Sequence, residues 1–158
     1  MLKEVLKFLF VRDLNRLYTE IDLYQSEEEI WKTVMEIPNS TGNLCLHLTG
    51  NLNTYIGKEI GETGYIRDRE AEFSLKNIPK IRLLAEVKNT IDVVLSSLDK
   101  LDNELLEKEY PVLLFEEKAS TQFVLIHLAT HLTYHLGQIN YHRRLMTHLS
   151  SNPPQNLV

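Results

Sequence analysis

The sequence predicts an all-α protein, a four-helix bundle. Apolar residues recur at three- and four-residue steps in four separate stretches of the 158-residue chain. Turn-rich segments separate those stretches, and no alternating run offers a convincing strand. Four amphipathic stripes of this kind bury themselves by packing on one another around a shared core.

Each element has its own signal. Residues 2–24 place Leu2, Val5, Leu6, Leu9, Leu14 and Leu17 at helical steps, a helix with one buried face. Ser26 followed by Glu29 is a capping box, which predicts a short helix through Trp31 and Val34 to Ile37, stopped by Pro38. Over 43–60, Leu44, Leu48, Leu52, Tyr55 and Ile56 take the repeating positions, and Gly57 and Gly61 mark a weakening end. The segment GETGYIRDREAEFS has no helical stripe and several turn residues, so an ordered loop is expected. Pro79 suits a first helical turn, and residues 81–98 form the third long helix. Residues 102–119 read as a polar connection interrupted by Pro111. Ser120 is the expected N-cap of the last long helix, 121 to about 148. One domain is expected over 1–148. Residues 149–158 carry two prolines and little to bury, and read as a flexible tail.

Bulk properties narrow the function. Hydrophobic content of 43% and charged content of 25% are ordinary for a globular protein. A net charge of -5 and a pI near 5.7 argue against a nucleic-acid partner, which usually meets a basic patch. No run of about 18 apolar residues exists, so no membrane span is expected. Charges at Lys3, Glu4, Lys7, Arg12 and Asp13 break up the N-terminal apolar stretch, against a signal peptide. The one cysteine, Cys45, cannot make an internal disulfide. A cytoplasmic location is expected.

Chemistry concentrates in "HLATHLTYHLGQINYH", residues 127–142. Five of the six histidines lie between His127 and His148. A step of four residues turns a side chain by only about 40° on a helix, so His127, His131 and His135 stand in a row. His142 returns near the same face. Leu125, Leu128, Ala129, Leu132, Leu136 and Ile139 form a neighbouring apolar stripe. Two readings compete: a metal site, because two imidazoles one turn apart can chelate one divalent ion, or a polar strip on an ordinary helix. A metalloprotease reading fails, since Leu132 stands where a glutamate base would follow the first histidine. The histidine outside this helix is His47, in "NLCLHLTGNLNTYIG". A lone histidine in so apolar a setting is more often a hydrogen-bonded core residue, and spacing alone does not bring it to the others.

"THLTYHLGQI" resembles the signature of the DinB-like superfamily, an H-x3-H on the last bundle helix followed closely by Gly-Gln. "NLCLHLTGNLNTYIGKEIG" resembles that superfamily's second-helix segment, and "TGYIRDREAEF" resembles a subgroup of small bacterial members. The similarity spans roughly residues 1–148. It implies a DinB-like four-helix bundle, commonly a homodimer, with a divalent ion held by His47, His131 and His135. Characterised members include bacillithiol transferases and mycothiol-dependent isomerases, so a low-molecular-weight thiol is an implied co-substrate.

Three imidazoles leave coordination positions open for water or a small-molecule substrate. The expected function is therefore a metal-dependent enzyme, a thiol S-transferase or a hydrolase. Zinc and nickel suit imidazole best, and iron or manganese are compatible. Asn51, Tyr55, Tyr134 and Gln138 follow the histidine positions along their helices and are candidates to orient ligands or substrate. His127 is a further candidate one turn before the pair, while His142 and His148 are expected at the surface or beside the ligands. The acidic run Glu59, Glu62, Asp68, Glu70 and Glu72 reads as a solvated face. Arg67 and Arg69 read as partners in a loop salt-bridge network. Cys45 lies about 200° round the helix from His47 and reads as a small core residue. The alternative is a non-catalytic stress-response or interaction protein whose metal site is structural or vestigial.

Overall fold

Leu6, Phe10, Leu14, Leu17 and Ile21 recur at three- and four-residue steps, and the chain winds around them into α1 (Leu2–Asp22). The computed structural model describes residues 2–34 and 36–151. All of its regular elements are helical, and an isolated bridge between Glu109 and Ser120 is the nearest approach to a strand among the described residues. The fold is an all-α bundle. Val5, placed on the buried face by periodicity, is 49% exposed; Phe10 is the buried anchor of that stretch.

The second helix is shorter than expected. α2 (Glu27–Trp31) ends where Lys32 turns extended, well before Ile37. The capping box does not form: the Ser26 side chain makes no cap bond, and the buried Glu29 carboxylate instead accepts from Ser150 Oγ on the last helix. The Lys32 carbonyl is also engaged, by His142 Nε2 at 2.9 Å. Tertiary partners thus outbid the local helix at both ends.

α3 (Thr41–Leu52) starts on a working cap, with Ser40 Oγ accepting from the Asn43 amide at 3.2 Å. It runs on into a π-helical stretch, Asn53–Lys58, in which the amides of Glu59 and Gly61 reach back five residues to Thr54 and Ile56. The expected loop after it contains a helix, α4 (Arg69–Ser74), capped by Asp68 Oδ1 on the Ala71 amide at 2.9 Å. Six residues are too few to show an apolar period, which is why the pattern hid it. α5 (Lys80–Asp99) follows Pro79, which stands at the N-cap. The polar connection likewise holds a short helix, α6 (Asn103–Glu107), capped by Asp102. α7 (Thr121–Ser151) starts at Ser120, whose Oγ accepts from the Phe123 amide at 3.4 Å, and continues three residues past 148. The remainder of the expected tail, 152–158, lies outside the described residues.

α1 packs on α5 and α7, and α3 packs on the same two, so α1 and α3 occupy opposite corners of a square. Leu14, Leu48, Leu52, Val87, Val94, Leu128 and Leu132 meet in the middle, essentially without solvent contact. Ionic and polar ties fasten α1 to α7: Thr133 donates to buried Asp13 at 2.7 Å, and Arg143 to Glu20 at 2.5 Å. The α3–α7 seam is antiparallel, since Thr41 meets His142 while His47 meets His131 and His135. No helix among the described residues is long and apolar enough to cross a membrane.

Candidate metal centre

One helical turn separates His131 from His135 on α7, so both imidazoles face the α3 side of the seam. His47 comes from α3 to meet them. The three rings sit nearly perpendicular in pairs, with centroids 4.6–5.4 Å apart. One nitrogen from each lies within 4.8 Å of the others. The Nε2 atoms of His47 and His131 are 3.4 Å apart. The cluster is half-buried and compatible with a metal site.

Hydrogen bonds at the far nitrogens set the ring orientations. His47 Nδ1 lies 3.0 Å from Glu72 Oε2. Arg67 Nη2 is also 3.4 Å from that nitrogen, but the carboxylate is nearer and, as an anion, the better partner for an N–H. His47 therefore donates through Nδ1 and turns the Nε2 lone pair toward its neighbours. His135 Nδ1 is 2.7 Å from Gln138 Oε1, which again leaves Nε2 as the free acceptor. Outer partners of this kind fix the tautomer and orientation of metal-binding histidines.

Burial lowers the pKa of His47 against the opposing pull of Glu72. Burial, with His135, His47 and His127 nearby, pushes His131 down to about 4. These two imidazoles are neutral at pH 7, the form that coordinates.

Glu72 corrects the sequence reading. It was expected on a solvated acidic face, yet it is 5% exposed. α4 carries it inward, where Arg67 Nε and Nη2 grip its two oxygens at 2.6 and 2.9 Å. Arg67 thus makes the expected ion pair, and that pair holds His47. A readable signal was Gly50, one turn past His47. Glycine inside a helix costs about 1 kcal/mol relative to alanine and needs a reason. Here a Cβ would overlap Glu72 Oε1.

The other candidates divide. Gln138 contacts His135 directly, and Tyr134 sets its ring 5.2 Å from the His135 ring while remaining 66% exposed. Asn51 is buried with Oδ1 unpartnered. Tyr55 has the Arg67 guanidinium over its ring at 5.8 Å. His127 is exposed and stacks beside His131 at 6.3 Å, outside the cluster. His142 is a correction: it is neither at the surface nor beside the cluster, but buried against Tyr24, Thr41 and the Lys32 carbonyl. Cys45 is fully buried, and burial pushes its thiol far above the ordinary range, so it is a core residue.

An all-α bundle with a three-imidazole cluster bridging two of its helices is the class that fold and site define. The chain belongs to the family described as protein of unknown function (DUF1572), whose family model matches residues 8–151. No curated protein and no solved structure matches it.

Proposed function

We propose that His47, His131 and His135 hold one divalent metal ion, and that the chain is a metal-dependent enzyme of the DinB-like superfamily, a thiol S-transferase or hydrolase. One observation carries the reading: hydrogen bonds to Glu72 and Gln138 aim the Nε2 lone pairs of His47 and His135 into the cluster that His131 completes. The donor set fits such an ion. Nε2 atoms 3.4 Å apart repel unless a proton or a cation lies between them. Three imidazoles suit zinc or nickel, and accept iron or manganese.

Bound there, a divalent ion would supply Lewis acidity, lowering the pKa of a water or thiol held beside it. The chain supplies position. Glu72 and Arg67 hold His47, Gln138 holds His135, and the helix itself spaces His131 from His135. Glu72 is committed to two partners and is not a free general base. The homodimer belongs to the same reading, and a species of 18.4 kDa in sedimentation at high concentration overturns it.

The test is elemental analysis of untagged protein after dialysis, followed by a conjugation screen with several thiols. One ion per chain is expected for the unaltered protein and for His127→Ala, and loss of the ion for alanine at 47, 131 or 135. Retention in His47→Ala with loss in His127→Ala overturns the cross-bundle site. Metal binding without thiol-dependent or hydrolytic turnover overturns the enzymatic part.

A further inference from the structure

His135 also lines a cleft of about 520 Å³ between α7 and the segment that leads into α3. This is a usual size for a small-molecule site, about 300–1,000 Å³. Its walls are largely apolar: Ile37, Pro38, Leu44, Tyr134, Tyr141 and Leu145. Among the described residues no aspartate, glutamate, lysine or arginine lines it, although 25% of the chain is charged.

Its histidine nitrogens are largely committed, and its other polar groups, on Asn39, Tyr134, Gln138 and Tyr141, are uncharged. His142, on the same wall, accepts from Tyr24 and reaches the Lys32 carbonyl, while His135 Nδ1 is bonded to Gln138. Arg67 is tied to Glu72 on the far side of His47 and does not line the cleft. In the metal-free protein an anion entering here would be desolvated without a countercharge from any charged side chain lining the cleft among the described residues, which is costly. By contrast, a smaller cleft of about 270 Å³ beyond Glu72 is lined by Asp68, Arg82 and Glu86 and contains no histidine.

The rim points the same way. Tyr141 is 79% exposed, Tyr134 66% and Ile37 49%, so large apolar groups stand exposed at the opening beside the histidine cluster. A ligand that covered them would gain roughly 25 cal/mol per Å² of apolar surface removed from water.

We infer that this cleft binds a neutral small molecule with an aromatic or branched apolar body, presented to the His135 edge of the cluster. That this molecule is a substrate rests on the metal-enzyme reading above; that it binds does not.

Two probes with one aromatic body separate the charge question: neutral N-phenyl-1-naphthylamine and its sulfonated analogue 1-anilinonaphthalene-8-sulfonate. In protein stripped of metal, the neutral probe is expected to bind one per chain, at least about tenfold more tightly than the sulfonate. Tyr134→Asp and Tyr141→Asp alter exposed rim positions and are expected to weaken the neutral probe by about tenfold or more, with circular dichroism unchanged. Tighter binding of the sulfonate overturns the inference, as does neutral-probe binding that neither variant disturbs. Nickel is then added to the same samples, and its uptake is measured by elemental analysis after dialysis. Nickel bound with no neutral-probe binding removes the cleft inference and leaves the metal reading; probe bound with no nickel taken up does the reverse. In nickel-loaded protein the bound probe is expected to be quenched, and full fluorescence there overturns its placement at the His135 edge.

Discussion

His47 Nδ1 lies 3.0 Å from Oε2 of Glu72, a carboxylate that is itself buried and gripped by Arg67. The pairing joins residues 25 apart in sequence and gives His47 one orientation. Replacing Glu72 by glutamine keeps the size of the side chain and removes its charge. Metal affinity should fall by about 10- to 100-fold, as for other outer partners of metal-binding histidines. Competition against a chromophoric chelator measures it, and an unchanged affinity would refute the role given to Glu72.

Gly50→Ala sets helix propensity against site geometry. Alanine favours the helix by about 1 kcal/mol. Its Cβ, however, would overlap Glu72 Oε1, the movable end of a side chain, so the carboxylate must swing away. Tearing a buried, paired carboxylate from Arg67 and His47 costs about 3–5 kcal/mol, against the ~1 kcal/mol gained in the helix. The expected variant therefore melts below the parent temperature and binds metal more weakly. A variant that binds as tightly as the parent would show that the carboxylate is not required where it stands.

His142 predicts a pH dependence of stability. Its Nε2–H donates to the Lys32 carbonyl and its Nδ1 accepts from Tyr24 at 2.6 Å. Burial lowers its pKa, more than the Lys32 carbonyl and Glu29 raise it. The unfolded chain, with the ordinary value of about 6.5, therefore binds more protons than the folded one below that pH. The contribution is complete above about pH 6.5 and is lost as pH falls through the lower folded value. Urea denaturation as a function of pH should give a shallower slope in His142→Gln than in the parent. Equal slopes would rule out His142 as a contributor.

The long helices were legible because each repeats its apolar residues often enough to define a face. Element ends decided by distant partners were not. Ser26 and Glu29 form a sound local signal, yet Glu29 is taken by Ser150, and no local pattern carries that competition. The pair His131 and His135 could be read from one turn of helix. His47 could not be joined to it by spacing, since 84 residues separate it from His131; similarity to a family supplied the expectation, and folding of α3 against α7 supplies the proximity. His142 was misjudged for a physical reason. Seven residues after His135 it returns to nearly the same face, but about 10 Å further along the axis, where the neighbours are Tyr24, Thr41 and Lys32.

The cluster divides mechanically into a fixed part and an adjustable one. His131 and His135 ride on a single helix, so the gap between them is a ruler set by the backbone. His47 rides on another helix and is steadied from α4, so a slide of α3 or a shift of α4 moves it without altering that ruler. A change confined to residues 65–75 would thus retune the other two sides of the triangle, and with them the ionic radius the proposed site would accept, while the packed interior stayed as it is.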